Sequence, residues 1–158
     1  TDYGPSHIQD HYKAYAWYEK SAKQGMYEAE FNLGLMAHYG RGTNQDYVQA
    51  MNHYLKASSN GIPEADLNIA FLYHYGLGTP TNHDKSFQYF TKSARKNFPQ
   101  AQYHLGLLYQ NGQSVKKDLD QANYWFEKAA EQNLDEAKLM SAALALREPN
   151  DVELYIAN

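Results

Sequence analysis

His7 and His11 stand four residues apart, with Asp10 between them. On a single helix, two histidines at that spacing beside an acid are the arrangement zinc peptidases use to hold a metal and activate water. That chemistry requires all three side chains to share the helix. Asp10, however, is in register with Asp46 and Asp118, which read as helix caps. This register puts His7 in the preceding loop and splits the pair. A second pair, His38 and His74, recurs at a separation of 36 residues. Equivalent places on stacked helices lie about 8–10 Å apart, whereas a shared zinc needs bonds of about 2.0–2.1 Å from both rings. No third ligand accompanies them. There is no nucleophile-elbow serine motif, no phosphate-cradling glycine loop and no catalytic carboxylate pair. The turns Gly40-Arg41-Gly42 and Gly76-Leu77-Gly78 follow helical rather than strand patterns, so they are not nucleotide loops. A metal-dependent hydrolase is therefore the disfavoured alternative. The expectation is a non-enzymatic chain with no catalytic residues, no metal and no cofactor.

Composition bounds the remaining classes. The 158 residues are 43% hydrophobic and 20% charged, which suits a folded chain rather than a disordered one. A net charge of -4 argues against a nucleic-acid partner. No apolar run approaches the roughly 20 residues of a membrane span. Cysteine is absent, which removes disulfides, thiolate metal sites and a cysteine nucleophile. The chain starts without Met and without a basic-then-apolar leader, so its first residue reads as a processed end. The 15 tyrosines are the anomaly, and many of them fall at fixed intervals.

Those intervals come from the elements that must carry the side chains. Residues 1–9, with Gly4-Pro5-Ser6, read as a loop. Tyr12, Tyr15, Trp17-Tyr18 and Ala22 form a helical stripe over 10–23 that ends at Gly25. Residues 29–39 give a helix with Phe31, Leu33, Leu35, Met36 and Tyr39, broken by Gly40. Asp46 starts the next helix, with Gln49 three residues later as in a capping box. That helix carries Val48, Met51, Tyr54, Leu55 and Ala57 and stops at Asn60-Gly61. The plan then recurs without a gap. Pro63 and Pro99 suit the first turn of a helix, where a missing N–H costs nothing. Ala29, Ala65, Ala101 and Ala137 align, as do Gly40, Gly76 and Gly112. In the second helices Tyr18, Tyr54, Phe90 and Phe126 align, followed by Gly25, Gly61, Asn97 and Asn133. The array is a single repeat domain over 1–158. It comprises a half unit at 10–28, full units at 29–64, 65–100 and 101–136, and a half unit or cap at 137–158. Glu148-Pro149-Asn150 interrupts the pattern before a short cap or frayed end at 151–158.

Gly34, Ala70, Gly106 and Ala142 also align. Glycine inside a helix costs about 1 kcal/mol relative to alanine, so its recurrence implies a close helix approach. The aromatic at Tyr54, Phe90 or Phe126 would lie over that approach and contribute about 1.5–3 kcal/mol by burial. A lone hairpin leaves an apolar face uncovered, and stacking covers it.

The pattern A-x-x-x-L-G-x-x-Y-x-x-G, a loop, D, then A-x-x-W-F-x-K-A-A resembles the Sel-one-like repeat, a relative of the tetratricopeptide repeat. Residues 101–136 carry it as Ala101, Leu105, Gly106, Tyr109, Gly112, Asp118, Ala122, Trp125-Phe126, Lys128 and Ala129-Ala130. The likeness covers about 10–147. Its departures are Ala70 for Gly, Ser114 for the second turn Gly and Asn82 for Asp. It implies an all-α fold, a right-handed α/α solenoid of antiparallel helix pairs, and a role as an adaptor scaffold for other proteins.

By the same resemblance, the first helix of each unit lines a concave face. The residues carried there are Phe31, Leu35, His38 and Tyr39, then Leu67, Phe71, His74 and Tyr75, then Tyr103, Leu107, Gln110 and Asn111, and finally Leu139, Ala143 and Arg147. The large apolar members are expected to pack between units. The expected partner-binding set is Phe31, His38, Tyr39, His74, Tyr75, Tyr103, Gln110, Asn111 and Arg147, facing another protein or peptide. Tyrosine suits that use because it joins a large contact area to a polar tip. Glu28, Glu64 and Glu136 read as sitting just before the first helices. There they favour the positive helix end, and they also offer an acidic rim to a basic partner. The remaining alternative is that the chain is one segment of a longer structural array.

Overall fold

The structure is a computed structural model that describes residues 5–146. Arg147, the Glu148-Pro149-Asn150 break and the cap expected within 151–158 lie outside the described residues. Among those described, the chain forms eight α-helices and no strand. They are α1 (Pro5–Lys23), α2 (Tyr27–Tyr39), α3 (Tyr47–Ser59), α4 (Pro63–Tyr75), α5 (His83–Arg95), α6 (Pro99–Asn111), α7 (Leu119–Glu131) and α8 (Asp135–Ala145).

Local chemistry accounts for the boundaries. Asp46, Asn82 and Asp118 each accept a hydrogen bond at 2.9 Å from the backbone N–H three residues on, at Gln49, Lys85 and Gln121. Asn82 makes the bond as well as either aspartate does, and Lys85 shows that this half of the capping box needs no glutamine. Pro63 and Pro99 open α4 and α6. The first helices stop at Gly40, Gly76 and Gly112, each left-handed, with the cap N–H returned to the carbonyl of Met36, Leu72 or Leu108. After the second helices the chain passes through positive φ at Gly25 and Gly61, and then at Asn97 and Asn133. Asparagine takes the glycine role because its short side chain tolerates the left-handed region. Ser114 does the same at the second turn position, with φ 61°.

The N-terminal helix departs from the sequence expectation. α1 begins at Pro5, so Pro5–Gln9 is helical and Asp10 lies inside the helix rather than at its cap. His7 and His11 therefore share one helix. The register argument failed here because Asp46 and Asp118 cap helices entered from a glycine-containing turn, whereas residue 5 is a proline suited to a first turn.

The chain divides into two compact units, residues 1–96 and 97–158. In the first, α1 packs on α2, α2 on α3, α3 on α4 and α4 on α5. Short connections make such neighbours run antiparallel. Its core is Ala37, Ala50, Met51, Tyr54, Ala57, Ala65, Ile69 and Leu72, flanked by Phe31, Leu35, Tyr47 and Tyr89. In the second, α6 packs on α7 and α7 on α8, burying Ala101, Leu105, Ala122, Phe126, Ala129 and Ala137.

The recurring small residue does what its spacing implied. A Cβ on Gly34 would come within 2.5 Å of the Tyr54 ring, and one on Gly106 within 2.6 Å of the Phe126 ring. Both rings are fully buried.

Candidate functional site

The first helices carry the expected binding residues in two environments. Phe31 is half-buried on α2, with its ring 5.9 Å from that of Tyr54. It belongs as much to the core margin as to the surface. Tyr39 and Tyr75 end α2 and α4 and are 57% and 64% exposed, at equivalent positions. The Arg41 guanidinium lies 5.1 Å over the Tyr39 ring, while Tyr75 stacks on Phe71 at 6.2 Å. In the second unit Tyr103 is half-buried against Phe126 at 5.8 Å. Gln110 is half-buried and Asn111 exposed at the end of α6.

His38 and His74 each pack against their own hairpin. The His38 ring meets Tyr47 edge-on at 5.1 Å, and burial pushes its pKa down. Its Nδ1 is buried without a hydrogen-bond partner among the described residues. The His74 ring lies 5.4 Å from His83; burial and, second to it, the neighbouring His83 lower its pKa. The residues at 47 and 83 are thus equivalent partners of the two histidines. Among the described residues no three His, Asp or Glu side chains gather as a metal site.

A set of buried polar side chains escaped the sequence reading. Asp66 is fully buried on α4. Its Oδ1 accepts from the Ser58 hydroxyl at 2.5 Å and lies 2.9 Å from Lys92 Nζ, and its Oδ2 lies 2.7 Å from Lys96 Nζ. The same repeat position holds Glu30, paired with His53 at 2.7 Å. It also holds Gln102, which accepts from Gln132 at 2.8 Å and donates to Asn97 at 3.1 Å. Each position follows an aligned alanine, Ala29, Ala65 or Ala101. A run of large polar residues beside a buried alanine was the available signal. These side chains tie a first helix to the following second helix or its end. Glu28, Glu64 and Glu136 lie within the first helical turns rather than before them, which keeps them near the positive helix end.

Two clefts of the first unit open along α2. One, of about 260 Å³, lies between α1 and α2, with Ala14, Tyr18, Leu35 and Met36 as its apolar part and His11, Asn32, Tyr39 and Arg41 around it. The other, of about 460 Å³, lies between the starts of α2 and α4 and includes Glu28, Phe31, Asn32, Ile62 and Glu64.

The family model for the Sel1 repeat matches residues 2–26, 28–62, 63–98 and 99–134. The chain belongs to the Sel1 repeat family. The last three matched repeats begin within a residue of α2, α4 and α6. Sel1 repeats commonly serve as protein-interaction scaffolds, and solved proteins of this fold are typically non-catalytic. No curated protein matches this Sel1 chain significantly. Among solved structures, it is similar to a protective antigen present in uropathogenic Escherichia coli strains displaying an SLR fold. Identity is 35% and the TM-score 0.75, over 77% of this chain and 26% of that one. A Sel1 repeat protein from Oxalobacter formigenes is 33% identical with a TM-score of 0.77, over 84% of this chain and 53% of that one. The chain thus spans about a quarter and about half of those two proteins. The Helicobacter pylori cysteine rich protein B matches at 21% identity and a TM-score of 0.67, over 84% of this chain and 96% of that one. That likeness supports the shared fold, an all-α solenoid of adjacent helix pairs. No helix among the described residues is long and apolar enough to cross a membrane.

Proposed function

We propose that this Sel1 repeat chain is a non-enzymatic scaffold that binds another protein or peptide through the faces of its first helices. The observation that carries this is the pair of equivalent tyrosines, Tyr39 and Tyr75, each more than half exposed at the end of a first helix. An isolated exposed aromatic needs no explanation, but the same ring repeated at one place of a rigid repeat is a surface pattern. His38 and His74 adjoin these rings, and Phe31 lies two turns back along α2. In the second unit the corresponding set is Tyr103, Gln110 and Asn111, and Arg147 extends the set by register. In the tetratricopeptide arrangement these faces are the concave ones.

The test is a pull-down from native cell extract comparing the wild type with Tyr39→Ala/Tyr75→Ala, with circular dichroism as a check on folding. Truncating anchor tyrosines costs binding about 1–2 kcal/mol or more each, so partner recovery is expected to fall at least about tenfold. Unchanged recovery from a folded variant would overturn the first-helix reading.

A further inference from the structure

The two clefts along α2 share Asn32, and the charges around them are opposite. In the α1–α2 cleft the charged group is Arg41. It has no carboxylate partner among the described residues; its guanidinium lies over Tyr39. A guanidinium beside an aromatic and an apolar floor is a receptor for a carboxylate next to an apolar side chain. The protein's net charge of -4 gives no general attraction for acids, so this preference is local. In the α2–α4 cleft, Phe31 and Ile62 supply the apolar part, and Glu28 and Glu64 supply two carboxylates that enter no ion pair among the described residues.

Glu28 and Arg41 bracket α2. Its 13 residues span about 20 Å at about 1.5 Å each, a distance an extended chain covers in about six or seven residues. Asn32, at the junction, donates its Nδ2 to the Glu28 carbonyl at 2.9 Å. Its Oδ1 is thereby oriented and left to accept a backbone N–H from a bound strand.

We propose that this α2 groove docks an extended segment of a partner protein. The segment carries an Asp or Glu at the Arg41 end and a Lys or Arg at the Glu28–Glu64 end, with apolar side chains between. The inference rests on the protein-interaction reading above and adds the chemistry and polarity of the occupant. Two unlike ends select the direction of the bound chain as well as its composition.

Fluorescence anisotropy with dye-labelled seven-residue peptides tests it. One peptide has Asp at its start, Lys at its end and apolar residues between; the second has the reversed order; a third replaces both charges by Gln. One of the two orders is expected to bind at least about tenfold tighter than the Gln peptide, with affinity falling as salt rises. Arg41→Glu should weaken that peptide by about tenfold or more. It should recover binding to a version with Lys in place of Asp. Glu28→Lys/Glu64→Lys should show the mirror pattern at the basic end. Glu28 and Arg41 are exposed and Glu64 is half-buried, and thermal melts of the variants confirm folding.

Failure of both orders to bind in a charge-dependent way overturns the proposal. So does binding that both charge reversals leave within about twofold. A native partner lost from Tyr39→Ala/Tyr75→Ala but retained by both charge-reversal variants overturns it while leaving the scaffold reading intact. A partner retained by the tyrosine variant overturns the first-helix reading instead.

Discussion

At the scale of single residues, the repeats act as internal controls for one another. Among the described residues, the buried Ser86 hydroxyl has no hydrogen-bond partner, and the buried Tyr54 hydroxyl has only the Asn68 side chain beside it, without a well-formed bond. Burial, with the Tyr39 phenol adding to it, pushes the Tyr54 pKa far above its ordinary value. Phenylalanine holds the Tyr54 position at 90 and 126, and alanine holds the Ser86 position at 50 and 122. A buried unsatisfied polar group costs about 1–3 kcal/mol, so Tyr54→Phe and Ser86→Ala should leave stability unchanged or raise it by up to about 1 kcal/mol. Urea denaturation measures this, and a loss beyond about 1 kcal/mol would mean the hydroxyls have partners in solution. His38 supplies a pH test. Burial holds its folded pKa below the ordinary histidine value of about 6.5, so between the two values the unfolded chain binds more protons. Stability is therefore full above about pH 6.5 and falls as pH drops toward the folded value. His38→Gln, which copies Gln110, should reduce the loss of urea midpoint between about pH 7.5 and pH 5.5. An identical loss in both proteins would show that His38 contributes nothing to it.

At the scale of elements, each hairpin is held by a close approach and by a buried polar tie. Gly106→Ala places a methyl against the Phe126 ring. Overpacking costs about 1–3 kcal/mol, and the better helix former returns about 1 kcal/mol. We expect a net loss of about 1 kcal/mol by calorimetry, whereas a gain would show that Phe126 yields as freely as Phe90 does over Ala70. The Asp66 tie gives a sharper element test. Lys96→Gln leaves the buried carboxylate with one lysine and a hydroxyl and should cost about 1–3 kcal/mol. Adding Asp66→Gln recreates the carboxamide pairing of Gln102 with Gln132. The double variant should be more stable than the sum of the single changes by about 1–2 kcal/mol. Strict additivity in a double-mutant cycle would rule out the equivalence of the two ties.

At the scale of the whole molecule, repeat proteins distribute stability over neighbouring units rather than concentrating it in one core. Tyr54→Ala removes a fully buried ring, a change that costs about 3–5 kcal/mol. Hydrogen exchange should accelerate most for amides of α2, α3 and α4, with α6 and α7 much less affected. Equal acceleration across all described helices would show one cooperative unit instead. The family's scaffold role fits such a molecule, because surface positions on each repeat can vary while the glycine, alanine and aromatic places keep the hairpin intact.

Sequence alone determined the helices, their 36-residue step and the hairpin contacts, because these depend on short-range chemistry. Caps at Asp46 and Asp118, left-handed ends at Gly40 and Asn133, and the Gly106–Phe126 approach are each set by a residue type at a fixed spacing. Legibility failed at α1, where register with later repeats outweighed a proline competent to start a helix. It also failed at Glu30, Asp66 and Gln102, whose polar identity hid their burial. Only tertiary structure decided which side chains share an environment. It closed Asp66 between two lysines, set the His74 ring beside His83 and left Arg41 over Tyr39 without a carboxylate among the described residues. The physical reason is that burial and pairing are properties of two elements in contact, and the repeat period specifies only each element by itself.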